Sequence, residues 1–243
     1  MIPPAQIFIP TYEKDLGWLE FSIRSIEKFW TSPFTPIIVA DEDCLGKLSE
    51  SGLDVRYVKH WSDGRRDQVY LKMMADTFVD AAAETILFMD SDCLFTKTSV
   101  TDDFCIDGRP MVKMMSYNDA CAKWPHHREA YDGYKRSVWE CLQIGSVYEY
   151  MQVQPFLFFK DTVANVREEI ERIRGCPLKN VAERFHSSHF SEFNLFGAYA
   201  HEQEDDRYCF LTPENWGEPR VRQFDGWGGS PDSSRPEIES ILG

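Results

Sequence analysis

With 243 residues, 43% of them apolar, the chain can bury a sizeable core, and its length fits one large domain better than two. The 40 Asp and Glu outnumber the 26 Lys and Arg, and the formal net charge of -14 argues against nucleic acid or an anionic membrane as partner. Seven cysteines, an odd number with no CxxC spacing, argue against a disulfide framework and a zinc knot and read as reduced thiols.

Met1-Ile2-Pro3-Pro4 shows no basic region leading into an apolar run, and no stretch approaches the roughly 20 apolar residues of a membrane span. A cytoplasmic protein with no membrane span is expected. Ile7-Phe8-Ile9 is a short strand stopped by Pro10, followed by a helix on which Leu19, Ile23, Ile26 and Trp30 share a face. Ile37 to Ala40 forms a second strand ending at Asp41, a short helix through Leu45 to Leu48 stops by Gly52, and Val55 to Val58 forms a third strand. Helical spacing then runs from Asp67 to Ala83 and leads into a fourth strand, Thr85 to Met89, which ends at Asp90.

Strands alternating with helices predict a mostly parallel α/β sheet covered by helices, with ligands at the carboxyl ends of its strands. Pro10-Thr11-Tyr12, Asp41 and Asp90-Ser91-Asp92 all fall at such ends, so one cleft can collect them. The second half is less regular. Met111 to Ser116 reads as a strand, Glu129 to Leu142 as a helix, Phe156 to Phe159 as a strand and Asp161 to Arg174 as a helix. Asn180 to Ala200 is an aromatic-rich segment, Tyr208 to Leu211 the last strand, and the glycine- and proline-rich remainder a loop or tail.

Two carboxylates one residue apart after a buried run are costly unless something compensates them, and a hard divalent cation is the usual compensation. Asp90 and Asp92 are therefore the candidate metal ligands, with Mn2+ or Mg2+ as the cation. Gln68 and Lys72, four residues apart, share a helix face, where Lys72 can neutralise phosphate charge, as can Arg65 and Arg66 before it.

Phe8-Ile9-Pro10-Thr11-Tyr12 opening a helix, Gln68 with Lys72, and Leu87-Phe88-Met89-Asp90-Ser91-Asp92-Cys93-Leu94-Phe95 together resemble the GT-A glycosyltransferases. Phe190-Ser191-Glu192-Phe193-Asn194-Leu195-Phe196-Gly197 is similar to a segment of a poorly characterised bacterial and viral branch of them. The resemblance implies a single Rossmann-like GT-A domain over residues 1–243. Residues 1–97 would be its nucleotide-sugar half, ending in the DxD, and 98–243 its acceptor-side half and tail. It also implies metal-dependent transfer of a sugar from a UDP- or GDP-type donor to a hydroxyl of a carbohydrate acceptor.

On that resemblance Thr11 and Asp41 contact the nucleoside, and Pro10 and Tyr12 belong with them to the nucleotide-sugar site. Arg65, Arg66, Gln68, Asp90 and Ser91 belong to the donor site, and Asp92 is the direct metal ligand. Glu192, bracketed by Phe190 and Phe193, is the candidate base for an inverting transfer, or an acceptor-positioning group for a retaining one, with Asp119 as a substitute. The family's C-terminal metal-binding histidine has no counterpart after His201, so His186, His189, His201, Asn215, water or the diphosphate remain as third ligand. Trp124, Tyr131, Tyr134, Trp139 and Tyr148 can stack on a sugar, and His126-His127 can make a loop contact. Nucleotidyl transfer on a related layout is the competing activity, although Pro10 to Leu16 lacks a glycine-rich phosphate loop. A non-catalytic nucleotide- or sugar-binding module is the non-enzymatic alternative.

Overall fold

The computed structural model describes residues 3–48, 53–59, 64–185, 189–224 and 230–243. Strand β1 (Ala5–Thr11) continues through Pro10 instead of stopping there. Its pairing with the strand Thr85–Phe88 ends at Phe8↔Phe88, so the N–H that proline lacks points past the end of that ladder, while pairing with Ile37–Asp41 runs on to Thr11↔Ala40. Helix α1 (Leu16–Phe29), β2 (Ile37–Asp41), α2 (Leu45–Leu48), β3 (Asp54–Val58), α3 (Gly64–Met73) and β4 (Thr85–Phe88) follow in the expected order. The predicted helix to Ala83 is cut at Met73, where a 3-10 turn (Ala75–Thr77) takes over. Local bonds such as Thr77 N–H to Met74 O shape the turn, and farther on the Asp80 N–H donates to Gln6 Oε1 at 2.7 Å, a long-range bond that helical periodicity cannot reveal.

After β5 (Cys93–Phe95), β6 (Cys105–Ile106) and β7 (Arg109–Lys113), a separate β8 (Met115–Ser116) leads into α4 (Tyr117–Lys123), α5 (Arg128–Leu142), β9 (Tyr148–Glu149) and β10 (Phe156–Phe159). The predicted strand Met111 to Ser116 is therefore two strands. β7 joins β6 and β11, while β8 pairs with β9. The chain continues through α6 (Lys160–Arg174), α7 (Leu178–Ala182), α8 (Glu192–Gln203) and β11 (Cys209–Leu211). The presumed tail holds β12 (Val221–Gln223) and α9 (Arg235–Leu242). β12 pairs antiparallel with β5, and α9 packs through Ile238 and Leu242 against Trp18 and Phe21 of α1.

The central sheet has the order β10-β4-β1-β2-β3, in which β10 alone runs antiparallel. Its residues alternate between two apolar layers, as a strand period of two requires when both faces are covered. Phe8, Ile37, Val39, Ile86, Phe88, Phe156 and Phe158 face one layer, and Ile7, Ile9, Ile38, Leu87 and Leu157 face the other. The protein is thus a single α/β domain with a mixed five-stranded sheet flanked by helices, and the carboxyl ends of β1, β2 and β4 share one edge.

On α8, Gly197 lies against the Tyr150 ring so closely that a Cβ would come within 2.3 Å of Tyr150 Cγ. Gly197→Ala is expected to cost about 1–3 kcal/mol or more in urea unfolding. Gly46→Ala, in an exposed turn of α2 with nothing within 4 Å, should be neutral or stabilising. Equal effects at the two positions would contradict this packing.

Candidate active site

β4 delivers the chain into a tight turn in which Cys93 N–H donates to Asp90 O at 3.0 Å, so Asp90, Ser91 and Asp92 sit between two buried strands. Ser91 points inward, its hydroxyl 3.3 Å from Thr11 Oγ1 and 3.5 Å from Pro10 O. Pro10 and Thr11 are buried, and among the described residues neither lines a cleft. They tie β1 to the DxD turn.

Three cavities open along this edge. One of about 650 Å3 is lined by Tyr12, Lys14, Asp15, Gly64, Arg65, Gln68, Asp90, Ser91, Asp92 and Gln223. A second, more apolar, of about 510 Å3 lies beyond Tyr12 and holds Asp41, Asp67, Tyr70 and Phe78. A third of about 800 Å3 shares Arg65, Gln68, Asp90 and Gln223 with the first and reaches Lys72, Tyr134, Gln152, Gln154, Ser191, Glu192 and Phe193.

At the junction Lys72 is 4% exposed, with Nζ 2.8 Å from Asp90 Oδ1, 2.9 Å from Glu192 Oε1 and 4.8 Å from the centre of the Phe193 ring. Burial works against its charge, but the Asp90 and Glu192 carboxylates outweigh it and raise the pKa above the usual lysine value. Lys72 is thus an ammonium shared by two carboxylates. Asp90 also accepts from Gln68 Nε2 at 3.3 Å and, on its other oxygen, from Gln154 Nε2 at 2.9 Å. Asp92 accepts from Gln223 Nε2 at 3.4 Å. Asp15, beside them, has its carboxyl raised chiefly by burial, with Lys14 opposing and Asp90 adding to the shift.

The predicted residues do not all meet here. Arg66 turns aside to donate to Phe185 O at 3.3 Å, whereas Arg65 stays in the cleft and donates to Tyr134 Oη at 3.3 Å. Asp119 caps α4 through Ser116, and His201 Nδ1 is hydrogen-bonded to Tyr150 Oη at 2.8 Å. Asn215 is exposed outside all three cavities, His189 lines a separate pocket, and His186 falls outside the described residues. Of the five candidate stacking rings only Tyr134 lines the third cavity; Trp139 is 58% exposed, and Tyr131 packs in a side cluster with Met115 and Tyr117. Asp15, Gln152, Gln154 and Gln223 were not anticipated. Gln223 lies on a three-residue strand inside a glycine-rich tail, which carries no periodic signal.

Among the described residues no three His, Cys, Asp or Glu side chains gather closely enough to form a metal cluster by themselves. The donors facing the first cavity are carboxylate, amide and hydroxyl oxygens, a hard set whose chemistry fits Mg2+ or Mn2+, completed by oxygens of a ligand or water.

A family model matches residues 20–216, most of the chain. The chain belongs to DUF6492, a family of unknown function. The matched span contains Asp41, Lys72, Asp90, Asp92 and Glu192, while Tyr12, Asp15 and Gln223 lie outside it. A search of curated proteins finds no match to the chain.

Behind the third cavity lies a buried polar network. Asn194 Nδ2 donates to Glu149 Oε1 at 3.1 Å and Ser191 Oγ at 3.0 Å, and its Oδ1 accepts from Tyr150 N at 3.0 Å and Tyr117 Oη at 3.3 Å. Burial raises the Glu149 carboxyl to about 7, against hydrogen bonds from Asn194, Met151 N and Gln152. The folded chain therefore holds a proton that the unfolded chain releases between an ordinary carboxylate value and about 7. Stability is expected to fall by up to roughly 3 kcal/mol as pH rises through that window. Urea unfolding at about pH 5 and pH 8 checks this. Glu149→Gln should flatten the dependence, and an unchanged slope in that variant would assign it elsewhere.

Lys72→Met strands the buried Glu192 carboxylate and the partly buried Asp90 and should cost about 3–5 kcal/mol at neutral pH in urea unfolding. A neutral effect at pH 7 would contradict the ion-pair assignment.

Proposed function

We propose that the protein is a metal-dependent glycosyltransferase of the GT-A kind, which takes a nucleotide-diphosphate sugar and passes the sugar to a hydroxyl of a carbohydrate acceptor. The observation that carries this reading is the alignment of the cavities along the strand ends. The apolar one with Asp41, the acidic one with Asp90 and Asp92, and the one with Glu192 meet pairwise through Tyr12 and through Arg65, Gln68, Asp90 and Gln223. Base, diphosphate and acceptor would occupy them in that order.

The charge of the middle cavity supports the metal requirement. Asp15, Asp90 and Asp92 face Lys14 and Arg65, so a diphosphate needs an added cation to enter. Asp92, with Gln223 beside it, would hold Mg2+ or Mn2+; when bound, the cation supplies charge neutralisation and Lewis-acid stabilisation of the leaving diphosphate. Asp90, engaged by Lys72, Gln68 and Gln154, orients this wall. Arg65 lies where both donor and acceptor sides can reach it.

In the transfer, the acceptor oxygen forms a bond to the anomeric carbon, the bond from that carbon to the diphosphate breaks, and the hydroxyl proton leaves for a base. Glu192 Oε1 lies 2.9 Å from Lys72 Nζ and its side chain lines the third cavity, so this carboxylate is the group placed to accept the proton or orient the hydroxyl.

A melting scan of wild type and Asp92→Ala with nucleoside diphosphates, under Mn2+, Mg2+ or chelator, tests the reading. A matching diphosphate at 100 times its Kd should add about 2.7 kcal/mol, a rise of roughly 5–10 °C, only with cation and only in wild type. Preference for triphosphates would favour nucleotidyl transfer, and no response from the folded protein to any nucleotide would favour a non-catalytic module.

A further inference from the structure

A fourth pocket, of about 510 Å3, lies on the far side of the wall that closes the third cavity. It is lined by Gly133, Arg136 and Glu140 of α5, Arg174 at the end of α6, and Arg184, Phe185 and His189. Neighbouring residues alternate between the two spaces: Gly133 and His189 face this pocket, while Tyr134 and Phe190 face the third cavity. The wall is thin because Gly133 has no side chain. A Cβ there would come within 2.5 Å of the His189 ring.

Its charge is unusual for this chain. Three guanidinium groups from three separate segments converge on a pocket with a single carboxylate, Glu140, in a protein whose net charge is -14. The side chains of Arg136 and Arg184 make no hydrogen bond or ion pair to any described residue. Arg174 donates from Nη1 to the Glu140 carbonyl at 3.2 Å. His189 lies 3.8 Å from Glu129, whose side chain is 91% exposed. Arginines with a structural duty are normally engaged by carboxylates or carbonyls, and here two of the three are left with their forks unused. The three arginines against Glu140 leave the pocket a net positive charge. Its lining matches a tetrahedral dianion, which guanidinium groups bind bidentately.

We propose that this pocket is a binding site for a phosphate-type dianion, either free or carried as a monoester on a larger molecule. The overall charge repels anions at long range, so binding here depends on these local contacts and not on a general field. The site is separate from the acidic cavity, which needs a cation before it accepts phosphate, and its occupation does not depend on the glycosyltransferase reading.

The test is titration of the full chain with inorganic phosphate at constant ionic strength, without nucleotide or divalent cation, followed by the melting temperature. Arg136→Gln and Arg184→Gln remove exposed side chains with no bonds to the rest of the described fold, so both variants should fold. Each is expected to weaken phosphate binding by roughly tenfold or more. Lys135→Gln removes the same charge from the same helix outside the pocket, and Arg65→Gln removes a cation from the cleft; both should bind within about twofold of wild type. Loss of binding in Arg65→Gln but not in Arg136→Gln would move phosphate to the cleft and overturn the proposal. Equal losses in Lys135→Gln and Arg136→Gln would reduce it to a general charge effect and overturn it as well. A phosphate monoester such as glycerol phosphate then distinguishes the sources: tighter binding than inorganic phosphate identifies a carried group, and equal binding a free anion.

Discussion

The buried ammonium of Lys72 is the constraint around which the site is arranged. It joins the end of β4 through Asp90 to the start of α8 through Glu192, and so links the half of the chain before residue 97 to the half after it. Desolvating three charges is expensive, and a buried ion pair of this kind is not by itself a source of stability. Its effect is positional. Asp90 cannot rotate without abandoning Lys72, Gln68 or Gln154, and Asp92, two residues along the same tight turn, inherits that fixed position. The Phe193 ring beneath Nζ adds a further attraction for the charge while excluding water.

Glu192 is held from a second side. It is the first residue of α8, and Ser191, which caps that helix by accepting from Asn194 N–H, belongs to the Asn194–Glu149 network. The Asn194 amide uses both its donors and both acceptor positions, so it fixes the helix start against the segment carrying Glu149 and Tyr150. Glu149 has no ammonium comparable to the one Lys72 provides, which is why burial lifts its carboxyl to about 7 while Lys72 remains charged. Two buried polar clusters, one ionic and one built on an amide, thus meet at the same helix terminus.

The first half of this arrangement was legible because its elements are long enough to show periodicity and because strand ends in a parallel sheet collect ligands. Asp41, Gln68, Lys72 and Asp90 through Asp92 were found by that route, and Lys72 and Gln68 do share one face of α3. What escaped depends on pairing distant in sequence. β12 is three residues long, too short for any period, and becomes a strand only because β5 is there to receive it. With it goes Gln223, which touches Asp92 across 131 positions. The tie from Asp80 N–H to Gln6 spans 74 positions, and the split between β7 and β8 depends on two different partners. Arg65 and Arg66 show the same limit within one dipeptide: adjacent positions point to opposite sides, and only the packing of α5 and Phe185 decides which enters the cleft.

The acidic first cavity and the arginine-lined pocket behind the third cavity have opposite signs, and that difference has a chemical consequence. A phosphate group near Asp15, Asp90 and Asp92 meets repulsion that only an added cation removes, whereas the same group among Arg136, Arg174 and Arg184 meets its counter-charges directly. Chelation should therefore empty the first and leave the second filled. An acidic chain needs such segregation to handle anions at all, because its long-range field rejects them and only local reversals of sign admit them. The thin wall at Gly133 and His189 places the cation-independent reversal directly behind Tyr134 and Phe190, which line the cavity that contains Glu192.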